Sequence, residues 1–87
     1  GEDDAATVNA YNALALVLRD AEKFGEAEPV AIAAADGAIR VFGGGHDATR
    51  TIIENTARLY DRWHTAQPGK GHDAKAASWR AKAGAAR

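Results

Sequence analysis

The sequence predicts an α+β fold, a small single domain ordered as helix, β-hairpin and helix, followed by a basic tail that is flexible or forms a short third helix. Two segments carry apolar residues at the period of a helix, and two short apolar runs flank an Asp-Gly dipeptide typical of a hairpin turn. Beyond them the composition changes to Ala, Lys and Arg. At 87 residues, the chain can build one modest core. We expect residues 5–67 to form this core domain and residues 68–87 to form the tail.

The first helix is expected over residues 5–24. Its apolar positions share one broad arc, which we expect to face the core. They are Ala10, Tyr11, Leu14, Val17, Leu18, Ala21 and Phe24. Leu16 falls on the opposite, polar arc, where it is either a single exposed Leu or part of a contact patch. Gly25 is expected to end the helix, and Pro29 to prevent its continuation.

The hairpin is predicted from residues 30–34 and 38–42, joined by a type I′ turn at Asp36-Gly37. A two-stranded sheet is not stable alone, so one face must pack on the helices. The other face and both edges then remain open to a partner strand. The open face of the hairpin contributes Ala33, Arg40 and Phe42, and the first helix contributes Leu16 from its polar arc. Together these four residues form the predicted partner-binding surface.

The second helix is expected over residues 48–66, with Asp47 as its N-cap and Pro68 beyond its end. One arc of this helix is apolar and should form the principal core surface. It contains Ile52, Ile53, Thr56, Ala57, Leu59, Tyr60 and Trp63. Trp79 is the only large apolar residue of the tail, so we expect the tail to contribute little to the core.

No residue pattern in the sequence predicts catalysis or a cofactor. The chain has no Cys, so disulfides and thiolate zinc sites are excluded. The histidines, His46, His64 and His72, have spacings that do not suggest a metal site. The glycine run at residues 43–45 lacks the Lys-Ser/Thr ending of a P-loop, and no Ser or Thr accompanies a recognisable base. We therefore expect a protein that is not an enzyme and has no catalytic residue, metal or cofactor.

Charge is unevenly distributed along the chain. Residues 1–36 contain eight acidic and two basic residues, whereas residues 37–87 contain nine basic and four acidic residues. The two halves can neutralise each other in the folded domain. Alternatively, the basic half can attract an anionic partner, or one copy can dock head-to-tail on another.

The order of a helix, strands, a Gly-x-Gly run and a further helix resembles the layout of a double-stranded-RNA-binding domain over residues 10–66. That family begins its last helix with a Lys-Lys-x-Ala-Lys cluster, where this sequence has His46-Asp47-Ala48-Thr49-Arg50 and lacks a third strand. Apart from the resemblance, basic residues on one face of the second helix and in the tail predict a phosphate-contacting stripe, although the pI of about 6.3 is low for a nucleic-acid-binding protein. The basic residues of this stripe are Arg50, Arg58, Arg62, Lys70, Lys75, Arg80, Lys82 and Arg87.

Two functions follow from these features. The first is a protein-interaction module that binds another protein or a second copy of itself as a homodimer. The alternative is a nucleic-acid-binding accessory domain. No apolar run is long enough to span a bilayer, and the acidic start does not resemble a signal peptide, so we expect a soluble, cytoplasmic protein without a membrane partner. Because the chain contains no Met, we expect Gly1 to result from processing. Whether the sequence is part of a longer parent chain stays open.

Overall fold

The computed structural model describes residues 4–85, which contain four α-helices joined by short connections. Helices α2 and α3 pack on each other at the centre, α1 packs mainly on α2, and α4 packs on α3. The Cα atoms extend over 35 × 25 × 14 Å, so the domain is a thin layer of helices. The helices are α1 (Ala5–Asp20), α2 (Phe24–Phe42), α3 (Asp47–Ala66) and α4 (His72–Ala85).

The predicted β-hairpin is wrong, and the fold is all-helical rather than α+β over the described residues. Residues 30–34 and 38–42 both lie within α2. The hydrophobic residues that α2 buries recur at helical spacing: Phe24, Ala27, Ala31, Ala34, Ala35 and Ala38. Ala has the highest helix propensity, and its small side chain allows neighbouring helices to approach closely. The alternating Val and Ile residues that suggested strands are only partly covered, and without strands the resemblance to the RNA-binding layout is lost as well.

Gly37 is a packing residue rather than a turn residue. It is buried inside α2, and a Cβ built on it would lie 3.0 Å from Val8 Cγ2 of α1. Asp36 beside it is exposed. The Asp-Gly dipeptide is therefore accounted for by an exposed helical position followed by a close α1–α2 contact.

Helix α1 ends at Asp20 and α2 begins at Phe24, so the prediction that Gly25 ends the first helix is wrong. Glu22 has a φ of 59°, its N–H donates to the Arg19 carbonyl at 2.9 Å, and the Lys23 N–H donates to the Leu18 carbonyl at 2.8 Å. This pair of bonds is a Schellman motif. Pro29 is accommodated inside α2, where it removes one backbone donor without ending the helix.

Replacing Glu22 by Gly is expected to stabilise the domain by about 1 kcal/mol. A non-glycine residue in the left-handed region is disfavoured by roughly 1–2 kcal/mol, and the greater freedom of Gly in the unfolded chain offsets part of the gain. Urea unfolding followed by circular dichroism measures the difference. Ala21→Gly is the matched control, because Ala21 has a φ of −81° and gains nothing from Gly. Equal responses of the two variants would contradict the turn geometry.

The exposed and buried sides of α1 are the reverse of those expected. Val8 and Ala15 are the buried residues of this helix, whereas Tyr11, Leu14 and Val17 are 39%, 46% and 65% exposed. The predicted core arc of α1 is thus largely on the outside. This follows from the position of α2, because α1 packs on it through the small or short side chains of its other side.

The core lies along α3, as predicted, but it also includes α4. The predicted apolar arc of α3 is confirmed: its residues are buried except Trp63, which is half-buried. Ala76 and Trp79 pack with Ile53 and Tyr60 in the main cluster, so the expectation that the tail contributes little to the core is wrong. Helix α3 begins one residue early because the His46 Nδ1, rather than Asp47, accepts the Ala48 N–H at 3.0 Å.

Candidate interaction surfaces

The outward side of α1, together with its C-cap Ala21, carries six exposed apolar residues, which we call the α1 stripe: Ala6, Ala10, Ala13, Leu14, Val17 and Ala21. Successive helical residues turn by about 100°, so these positions are neighbours around the helix, opposite Val8 and Ala15. Among the described residues, no charged or amide side chain of α1 falls between them. Tyr11 flanks the stripe on one side, and Asp20 flanks it on the other.

This arrangement is unusual for a helix at the surface of a monomer. Surface helices normally turn a polar face to solvent, whereas α1 turns an apolar one. Contiguous exposed apolar surface commonly marks an interaction site. The sequence already showed Leu14 and Val17 at helical spacing, but it could not show which face α2 would cover.

The structure does not bring together the four residues predicted to bind a partner. Leu16 is half-buried in a crevice that α1 shares with α2 and α3. Ala33 and Arg40 lie on α2. Phe42 at the end of α2 packs on the core, and its ring centroid lies 5.3 Å from that of His46. The sheet face that grouped three of them does not exist. Their role in partner binding stays a prediction.

A second surface is an open groove of about 470 Å³ between α3 and α4. Its lining includes guanidinium groups from both helices, and we call it the arginine groove. It is lined by Arg50, Thr51, Glu54, Asn55, Arg58, Arg80, Ala83 and Gly84. Three of the basic residues predicted to contact phosphate thus meet at one place. Thr51 and Asn55 were missed, although their helical spacing from Arg58 could have indicated them.

Arg80 is held in the arginine groove by carboxylates. Its Nη2 lies 2.5 Å from Asp61 Oδ2, and its Nε donates to Glu54 Oε1 at 3.0 Å. The hydrogen bonds that Arg80 donates to Asp61 and then to Glu54 raise the pKa of Arg80 above its usual value. The guanidinium is consequently fixed in position and permanently charged.

The other predicted phosphate-contacting residues are dispersed. Arg62 Nη1 lies 2.6 Å from Asp20 Oδ1, where hydrogen bonds from Arg19 and then Arg62 lower the pKa of the Asp20 carboxyl. Lys75 Nζ lies 3.4 Å from Glu28 Oε2. Two acidic residues of the N-terminal half therefore pair with bases of the C-terminal half. Lys82 Nζ lies 4.1 Å from the centroid of the Trp79 ring, and Lys70 is exposed. Arg87 lies outside the described residues.

Aromatic rings join α3 to the start of α4. The His72 imidazole stacks on the Trp63 ring with centroids 3.9 Å apart, and the Tyr60 hydroxyl donates to Glu28 Oε2 at 2.8 Å. Burial, followed by the hydrogen bond to Glu28, raises the pKa of Tyr60. Within residues 4–85, no three His, Cys, Asp or Glu side chains come together as a metal site would require. These rings serve the packing of α4.

None of the helices in the described part of the chain is both long and apolar enough to cross a bilayer. Comparisons with protein-family models, curated proteins and solved structures found no significant match to this chain.

Proposed function

We propose that this chain is a small protein-interaction module whose α1 stripe binds the α1 stripe of a second copy, forming a homodimer. The observation that supports this function best is the unbroken apolar outer side of α1, with Leu14 46% and Val17 65% exposed. Pairing two such stripes removes apolar surface from water at roughly 25 cal/mol per Å².

The α1 stripe is complementary to itself when two copies run antiparallel. A two-fold axis beside residues 13 and 14 brings small residues opposite larger ones. In this register Ala10 lies opposite Val17 of the partner, Ala13 opposite Leu14 of the partner, and Ala6 opposite Ala21 of the partner. The alanines allow the two helix axes to approach closely.

Charge also favours the antiparallel orientation. In the same orientation the turn that follows α1, which contains Lys23, lies next to Asp4, the N-cap of the partner's α1, at both ends of the helix pair. Lys23 is exposed and forms no ion pair with any described residue. A parallel pair would instead bring the acidic starts of both helices together, which is unfavourable. A single helix pair buries less than the roughly 800 Å² per partner of a standard interface, so we expect a dimer of micromolar affinity.

Val17→Asp is expected to weaken dimerisation by at least tenfold, because it places two carboxylates in the apolar interface. Sedimentation equilibrium should show the wild-type mass rising toward about twice 9.1 kDa with concentration, whereas the variant stays at 9.1 kDa. Ile39→Asp is the matched control. Ile39 is also exposed, but it lies two residues after Gly37 and therefore on the side of α2 away from α1.

Lys23→Glu tests the orientation in the same assay. It should weaken an antiparallel dimer by placing a carboxylate opposite Asp4 of the partner, and the wild-type dimer should weaken as salt rises. A wild-type chain that stays monomeric up to millimolar concentration would overturn self-association. Equal weakening by Val17→Asp and Ile39→Asp would show that the α1 stripe is not the interface.

A further inference from the structure

We infer that the arginine groove between α3 and α4 binds a phosphate-bearing anion. Arg50 and Arg58 of α3 and Arg80 of α4 line one open groove, and among the described residues of the lining Glu54 is the only acidic one. The groove volume of about 470 Å³ is within the range of small-molecule sites. Helix α1 contributes no residue to this groove, so the inference is independent of the proposed dimer.

The side chains that remain available for a ligand lie along one line of α3. Thr51, Asn55 and Arg58 are four and three residues apart, so they share one face of the helix. The hydroxyl of Thr51 and the amide of Asn55 form no hydrogen bond with any described residue. The Arg58 side chain is 62% exposed, and its Nε is 3.9 Å from Glu54 Oε1, beyond hydrogen-bond distance. Three adjacent groups can therefore donate to an anion.

The other two arginines are fixed in place. Arg80 is bound to Asp61 and Glu54, and Arg50 donates to the Gly45 carbonyl at 2.8 Å and pairs with Asp47. The carboxylates of Asp47, Asp61 and Glu54 balance the charges of these two arginines and part of that of Arg58. The anion is therefore bound mainly by Arg58, Thr51 and Asn55, whose adjacent donors suit a phosphate group because it accepts several hydrogen bonds.

The phosphate can belong to a free nucleotide or to a nucleic-acid strand, and a titration separates the two. The probes are AMP and a mixed-sequence 12-nucleotide single-stranded DNA, each added to the full chain at about 0.15 M salt and followed by amide NMR shifts. We expect shifts concentrated at residues 50–58 and 80–84. AMP alone causing them would assign a nucleotide site, and the strand alone causing them would assign a strand site.

Arg58→Gln should weaken the binding at least tenfold while the amide spectrum stays that of the folded domain. Arg62→Gln is the matched control, since it removes the same charge from α3 outside the groove, where Arg62 pairs with Asp20. Thr51→Val and Asn55→Ala should weaken binding less than Arg58→Gln. Absence of groove shifts with both probes would overturn the inference, as would equal weakening by Arg58→Gln and Arg62→Gln.

Discussion

Trp79→Ala is expected to destabilise the domain by about 3–5 kcal/mol, which is the usual cost of removing a buried Trp side chain from a core. Trp79 is only 8% exposed and packs in the cluster that holds Ile53 and Tyr60 of α3 and Ala35 of α2. Small domains have total stabilities of about 5–15 kcal/mol, so this loss leaves little margin. Urea unfolding followed by circular dichroism at 222 nm measures the effect.

Ser78→Ala is the control for this experiment. Ser78 is exposed on the same helix, so its replacement should change the free energy of unfolding by no more than about 0.5 kcal/mol. A loss below about 1 kcal/mol for Trp79→Ala would contradict the packing of α4 on α3. It would instead agree with the expectation from the sequence that the tail contributes little to the core.

The helix α3 could be predicted because its apolar arc is both wide and made of large residues. Ile52, Leu59 and Trp63 recur at helical spacing, and polar residues occupy the opposite arc of the helix. In α2, by contrast, the large residues Val30, Ile32, Ile39 and Val41 alternate, whereas the buried residues are almost all Ala. A pattern weighted by residue size therefore favoured strands. Tertiary packing selected the helix, because close contact with α1 and α3 requires small residues.

The candidate surfaces were predictable as residues but not as sites. Leu14 and Val17 were identified as one apolar arc, yet whether that arc is covered depends on how many helices the domain contains. A hairpin in the place of α2 would have covered a different face of α1. Arg50, Arg58 and Arg80 were identified as members of a longer basic stripe, and their convergence in one groove required α4 to pack on α3.

Gly37→Leu is expected to destabilise the domain by roughly 3 kcal/mol, the upper part of the range for overpacking a core. The first added carbon already lies 3.0 Å from Val8 Cγ2, and the remaining carbons of Leu would have to enter the same close α1–α2 contact. Urea unfolding followed by circular dichroism measures the loss. Gly25→Leu makes the same change in the same helix, at a position where nothing lies within 4 Å of the added Cβ, so no loss is expected there.

Asp36→Ala completes the comparison, because the helix and the hairpin require opposite results from it. Asp36 is exposed in the middle of α2, where Ala is the better helix former by about 0.5 kcal/mol, so the variant should be as stable as the wild type or slightly more stable. In a type I′ turn the same change would remove a favoured turn residue and destabilise the domain. A loss of stability from Asp36→Ala together with tolerance of Gly37→Leu would exclude the close α1–α2 contact. The α1 stripe would then lose its basis as well, because that contact determines which side of α1 faces solvent.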